Sequence, residues 1–224
     1  MLFYFWRAVF EARTDIQGLD FRFMFRYVIL SQFVLAVTRV SGVAYRLSDG
    51  IRDGSLIVHL PKPYGLLGHM LAKAAAGVVW RAVGIGVPLV VLSVVLRLVP
   101  EPGTALVLFV PSLLLALLTN LAVELSLGLA AVWLRRNEGL IHLHGFLGAF
   151  FSGAMFPLVL LPDPVRRVVA VLPFRTTSDI PIGYYLGFSA QSAVFLQVCC
   201  CAVAWLLCLL LLRAARRTYV GFGG

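Results

Sequence analysis

The sequence predicts an all-α, polytopic membrane protein, and three observations carry that prediction. Hydrophobic residues make up 61% of the 224 positions and charged residues only 13%. The mean hydropathy is +0.95, more than a surface in water tolerates. The apolar residues also come in runs of about 20, the length that crosses a bilayer as a helix. A membrane β-barrel would instead alternate apolar and polar residues. Disorder, a soluble enzyme and a secreted disulfide scaffold are excluded on the same grounds.

Six apolar runs follow in order. The first, 2–10, rises only about 14 Å and is too short to cross. Spans are then expected at 23–43, 71–99, 105–134, 140–161 and 188–212. The expectation is therefore five complete transmembrane helices plus a truncated first one, all in a single domain, 1–224. Proline, glycine or charge bounds each run. Residues 100–104 form a tight turn, so the spans on either side are antiparallel neighbours. A second short turn is expected at 135–139. Two connections are longer: 45–68, which is amphipathic, and 162–187, which is half apolar and broken by prolines.

The net charge is +9. The basic residues sit at the ends of apolar runs, where they orient helices and do not point to nucleic acid. Ten of them fall in the stretches 39–73, 135–136 and 213–217, which places the 45–68 loop and the C-terminus in the cytoplasm. The segment 162–187 then lies outside. A proline-broken, half-apolar piece suits a re-entrant hairpin shielded by protein.

Motifs of known chemistry are missing. There is no G-x-x-x-x-G-K-[ST], no H-E-x-x-H, no C-x-x-C and no G-x-S-x-G. His142 and His144 are two residues apart and point to opposite sides of a helix, as do adjacent members of the run Cys199, Cys200 and Cys201. No catalytic residue, cofactor or metal is expected on this chain. Ionisable residues inside a span are costly and mark function or pairing. Arg81 and Glu124 are the two, with Asn120 one turn before Glu124. Both are expected about 6 Å from the membrane centre on the cytoplasmic side. Two readings follow: an Arg81–Glu124 pair locking two helices, or a polar substrate pathway. Gly145, Gly148, Ala149 and Ser152 form a small-residue stripe for close helix packing.

The loop 45–68 carries the most information. It reads Ile51-Arg52-Asp53-Gly54-Ser55-Leu56, then His59-Leu60-Pro61-Lys62-Pro63. This resembles the "I-x-x-G-x-L … L-x-x-P" signature of type-2 ABC exporter permeases, in the bacterial branch that ends in a basic helix and Gly-Gly. Gly153 to Pro157, followed by Leu172-Pro173-Phe174, resembles that branch's "G-x-x-x-P … L-P-F" region. Gln191 or Gln197, and the terminal Gly223-Gly224, also fit.

The resemblance implies a six-helix permease of the bacterial cytoplasmic membrane. It implies a cytoplasmic coupling element that docks on an ATPase, here Ile51, Arg52, Gly54, Leu56, Leu60 and Pro63. It implies an outer re-entrant hairpin, here with Pro157, Pro173 and Phe174. The partners it implies are a dimer of P-loop ATPase subunits, which bind the ATP and magnesium, a second permease and membrane lipid. A leading helix and half of a first span would precede Phe5-Trp6-Arg7, so the sequence is expected to start late. Two other classes compete: an integral-membrane lipid-modifying enzyme and a non-transporting membrane scaffold.

Overall fold

The computed structural model describes residues 2–12, 20–40, 42–55, 65–95, 105–134 and 136–220. Every regular element among them is helical. Four stretches are long and apolar enough to cross a membrane: Phe21–Arg52, Gly68–Val95, Val107–Val132 and Ala193–Thr218.

Helix α1, Leu2–Ala12, is short. Trp6 and Phe10 pack it against Met24 and Val28 of α2, Phe21–Thr38. Helix α2 ends at Thr38, and after Gly42 the chain continues as α3, Val43–Arg52. Gly42 takes a φ of +81° at this restart, a conformation in which a Cβ would be strained. The expected loop 45–68 thus begins as a helix that prolongs the first long span. Its amphipathic character comes from one face buried through Val43, Ala44, Leu47 and Ser48.

The next run is interrupted as well. Helix α4, Gly65–Arg81, passes through a π-helical turn, Ala82–Gly86, into α5, Val87–Val95. Pro88 explains the interruption. It has no N–H for the Gly84 carbonyl, and its ring crowds that oxygen. The wider turn absorbs the conflict, with the Val87 N–H bonding back to the Ala82 carbonyl.

Helix α6, Ala105–Leu129, is the central element. It extends by a 3-10 turn at Ala130–Val132. Helix α10, Ala193–Val220, runs alongside it in the same direction. Leu121, Leu125 and Leu129 of α6 meet Cys208, Leu212 and Ala215 of α10, and Leu47 of α3 closes the same core.

The fifth apolar run, 140–161, is not one continuous helix. Helix α7, Glu138–Phe151, has 14 residues, a rise of about 21 Å against the ~30 Å of a bilayer core. It stops because Gly153 turns left-handed, with a φ of +81°, the usual way a helix ends at glycine. After a 3-10 turn at Leu158–Leu160 comes α8, Asp163–Val171, an amphipathic helix whose one buried residue is Val169. A second 3-10 turn, Pro173–Thr177, leads to α9, Asp179–Leu186. Helix α9 is only eight residues long, yet Asp179 to Tyr184 are buried. Ile182 joins Tyr27, Leu30 and Val34 of α2 and Phe109 of α6 in one cluster.

The bundle therefore has two distinct ends, one carrying α3 and one carrying α9. Its perimeter is apolar. Trp80, Val95 and Phe195 are more than two thirds exposed, which suits contact with lipid.

Candidate functional site

The α2–α3 break is the first feature that calls for an explanation. A helix interruption in an apolar layer leaves carbonyls at one end and N–H groups at the other without partners. Three side chains supply them. Arg81 Nε donates to the Ala36 carbonyl at 3.4 Å. Asn120 Nδ2 donates to the Thr38 carbonyl at 3.2 Å. Glu124 accepts from the Ala44 N–H at 3.2 Å. The remaining turn uses local bonds: Thr38 Oγ1 donates to Val34, and the Arg39 N–H to Leu35.

These are the three intramembrane polar residues that the sequence singles out. The structure brings them together around one break, each on a backbone group. Arg81 and Glu124 serve opposite ends of it. The cations whose fields reach Glu124 are Arg39 and Arg46. Glu124→Leu is expected to cost about 1–2 kcal/mol, the value of a lost helix N-cap, and Glu124→Gln clearly less. The exchange Arg81→Glu with Glu124→Arg should be no more stable than either single variant. Thermal unfolding in detergent checks all four.

A second polar cluster fixes the far half of α3. Asn137 is buried between α6 and α7. Its Nδ2 donates to Ser48 Oγ and to the Leu127 carbonyl, both at 2.7 Å. Its Oδ1 accepts from Arg52 Nη2 at 2.8 Å. Arg52 Nη1 reaches Glu138 Oε1 at 2.6 Å. Glu138 lies outside the long spans. Its own backbone N–H and the Arg52 guanidinium hold its carboxyl below the ordinary carboxylate range. Tyr45 and His142 add a contact at 3.3 Å from α3 to α7. Gly128 permits the approach: a Cβ there would sit 2.8 Å from Leu47 Cβ and 3.0 Å from the Ala44 carbonyl oxygen. The result is a rigid joint in which α3 cannot move without α6 and α7.

Of the expected coupling residues, Arg52 is in this joint. Ile51 packs half-buried on the same core. Gly54 follows the end of α3 with a φ of +73°. Leu56, Leu60 and Pro63 lie outside the described residues. Ser48, Asn137 and Glu138 were missed, because a polar residue in a short turn or an apparent loop carries no signal in sequence.

The α9 end is tied by a different set. Gln197 of α10 is buried. Its Nε2 donates to the Thr176 carbonyl at 2.8 Å and to that of Ser112 at 3.3 Å, and its Oε1 accepts from Ser112 Oγ at 2.8 Å. Asp179 pairs with Arg175 at 2.8 Å. Burial pushes the Asp179 carboxyl up, against the pull of Arg175. The Asp179 N–H bonds the Ser152 carbonyl, and the Tyr27 hydroxyl donates to that of Gly153. Of the expected hairpin residues, Pro157 is buried, Pro173 opens the 3-10 turn, and the Phe174 ring stacks near His144 at 5.6 Å. The small stripe of α7 is packed unevenly: Ser152 is buried and a Cβ at Gly148 would meet the Phe174 ring at 3.9 Å, but among the described residues nothing lies within 4 Å of a Cβ at Gly145.

Among the described residues, no group of three or more His, Cys, Asp or Glu side chains is placed to hold a metal ion. The arrangement links α3 to α6 and α7 through side-chain bonds. A family model described as "ABC-2 family transporter protein" matches residues 1–223. No curated protein and no solved structure matches the chain.

Proposed function

This chain belongs to the ABC-2 family of transporter proteins, and from its place as the membrane permease of an ABC transporter we propose that it is one half of an exporter driven by separate ATPase subunits. The observation that carries this reading is the joint at α3. Residues 51–56 resemble the family's coupling signature, and Ile51 and Arg52 of that stretch are the last turn of α3. A displacement imposed on them passes through Arg52, Asn137 and Gly128 to α6 and α7 instead of being lost in a slack loop.

In this reading the α3 end and the C-terminus face the bacterial cytoplasm, where Arg39, Arg46, Arg52, Arg213, Arg216 and Arg217 gather. A pair of P-loop ATPase subunits docks there and binds the ATP and magnesium, and this chain itself is not an enzyme. A second permease, identical or related, completes the path. Closure of the ATPase pair pushes on residues 51–63 of both permeases and shifts them between inward- and outward-open arrangements. Helices α8 and α9 form the outer hairpin, with Gln197 and Asp179 holding it.

Expression with a neighbouring ATPase tests the reading. The two are expected to co-purify and to turn over ATP. Arg52→Ala should lower substrate-stimulated turnover about tenfold, within the range seen for coupling contacts. Adding Glu138→Ala should lower it no further, since both act through one contact. An ATPase that never co-purifies in any detergent would sink the proposal.

A further inference from the structure

Arg26 is unexplained by anything above. It lies on the second turn of α2, roughly 7 Å from the start of that helix. Its Nε is buried and has no hydrogen-bond partner among the described residues. It belongs to none of the ion pairs there. An arginine at membrane depth normally pairs or turns to water. Here it lines a cavity of about 200 Å³ between α2, α5, α6 and α9. The other walls are Phe33, Leu89, Val90, Phe109 and Leu186, with Tyr185 close enough to feel the Arg26 charge. No acidic residue lines it. The one hydroxyl on α5, Ser93, already donates to the Val90 carbonyl.

We propose that this cavity binds the head of an anionic amphiphile, a phosphate or carboxylate held by Arg26, with its alkyl part laid along Phe33, Leu89 and Val90. The chemistry selects that class. A planar guanidinium takes two oxygens of such a head at once. The apolar walls leave the remaining oxygens of a free inorganic phosphate without partners, which disfavours it. A neutral chain fits the walls but leaves the buried Nε as it is. The inference does not need the transport reading, since it asks only for binding.

The test is a titration of the purified 224-residue chain in neutral detergent, read by native mass spectrometry. The probes are decyl phosphate, decanol, inorganic phosphate and phosphatidylglycerol. Decyl phosphate is expected to bind at least tenfold more tightly than decanol, and inorganic phosphate not measurably. Arg26→Gln should bring the ratio near one, while Arg22→Gln, exposed one turn earlier, leaves it intact. Val90→Trp should fill the cavity and cut decyl phosphate binding with Arg26 still present, so the site stays testable if Arg26→Gln fails to fold. Phosphatidylglycerol competing with decyl phosphate assigns the site to a membrane lipid. Failure to compete, with decyl phosphate still bound, assigns it to a single-chain anion. Equal binding of decanol and decyl phosphate, an unchanged preference in Arg26→Gln, or undiminished decyl phosphate binding in Val90→Trp overturns the site.

Discussion

Replacing Asn137 by leucine should destabilise the chain by about 2–4 kcal/mol. Leucine has the same branching and is the bulkier of the two, so no cavity explains the loss. What goes is a set of buried bonds. Asn137 donates twice and accepts once, and the accepted bond comes from a guanidinium. A neutral bond is worth about 1 kcal/mol and one to a charged group about 1.5–3. Leucine also pushes an apolar group against Arg52 Nη2. Ser48→Ala, which removes one neutral link and leaves Arg52 seated, should cost about 1 kcal/mol. Denaturant titration followed by tryptophan fluorescence separates the two. Equal losses would mean that Asn137 acts only through Ser48.

Gly128→Leu should cost about 3 kcal/mol, and the reason is steric. The Cβ position meets Leu47 Cβ and a backbone oxygen of α3. Neither is the free end of a flexible chain, so α3 must lift from α6. Overpacking of this kind runs to 1–3 kcal/mol or more. Gly128→Ala is the sharper probe. In a helix, glycine to alanine gains about 1 kcal/mol in the absence of contacts. At Gly145, which has open space around it, that gain should appear in full. At Gly128 the clash should reverse its sign. Two alanine variants of opposite effect, measured by the same unfolding assay, would place α3 on α6. A gain at both would mean that the helices lie further apart.

The legible part of this fold is the part that hydropathy alone decides. Helices α6 and α10 fall close to their apolar runs, because the few polar residues within them, Asn120, Glu124 and Gln197, bond partners without breaking the helix. The rest depends on local backbone events that a window average erases. Ser152-Gly153 ends α7 ten residues before its apolar run ends, and the signal was a single glycine. A break at Gly42 interrupts the first long span, and the helix beyond it was mistaken for a loop because its exposed face is charged. Pro88 did not end its helix but widened it. Helix α9 was readable as half-apolar, though not as a buried element.

The candidate site shows the same division. Arg81, Asn120 and Glu124 were recognisable because polar groups inside a span must have a reason. The sequence offers an Arg81–Glu124 pair or a polar pathway, and neither reading considers backbone groups. In the structure each of the three bonds a backbone atom, at a break that composition does not reveal. Asn137 and Arg26 were out of reach for another reason. One sits in an ordinary turn and the other near a helix start, where polar residues are common.

The break between α2 and α3 also has a consequence for biosynthesis. Its carbonyls and N–H groups are satisfied by residues far along the chain: Arg81 is 45 positions beyond Ala36, Asn120 82 beyond Thr38, and Glu124 80 beyond Ala44. At ~5–20 residues per second, the ribosome needs roughly 4–16 s to make the last of them. During that interval the first long span cannot rest in lipid as a finished helix pair. It has to be sheltered, by the insertion machinery or by water at the interface, until α6 arrives to complete it.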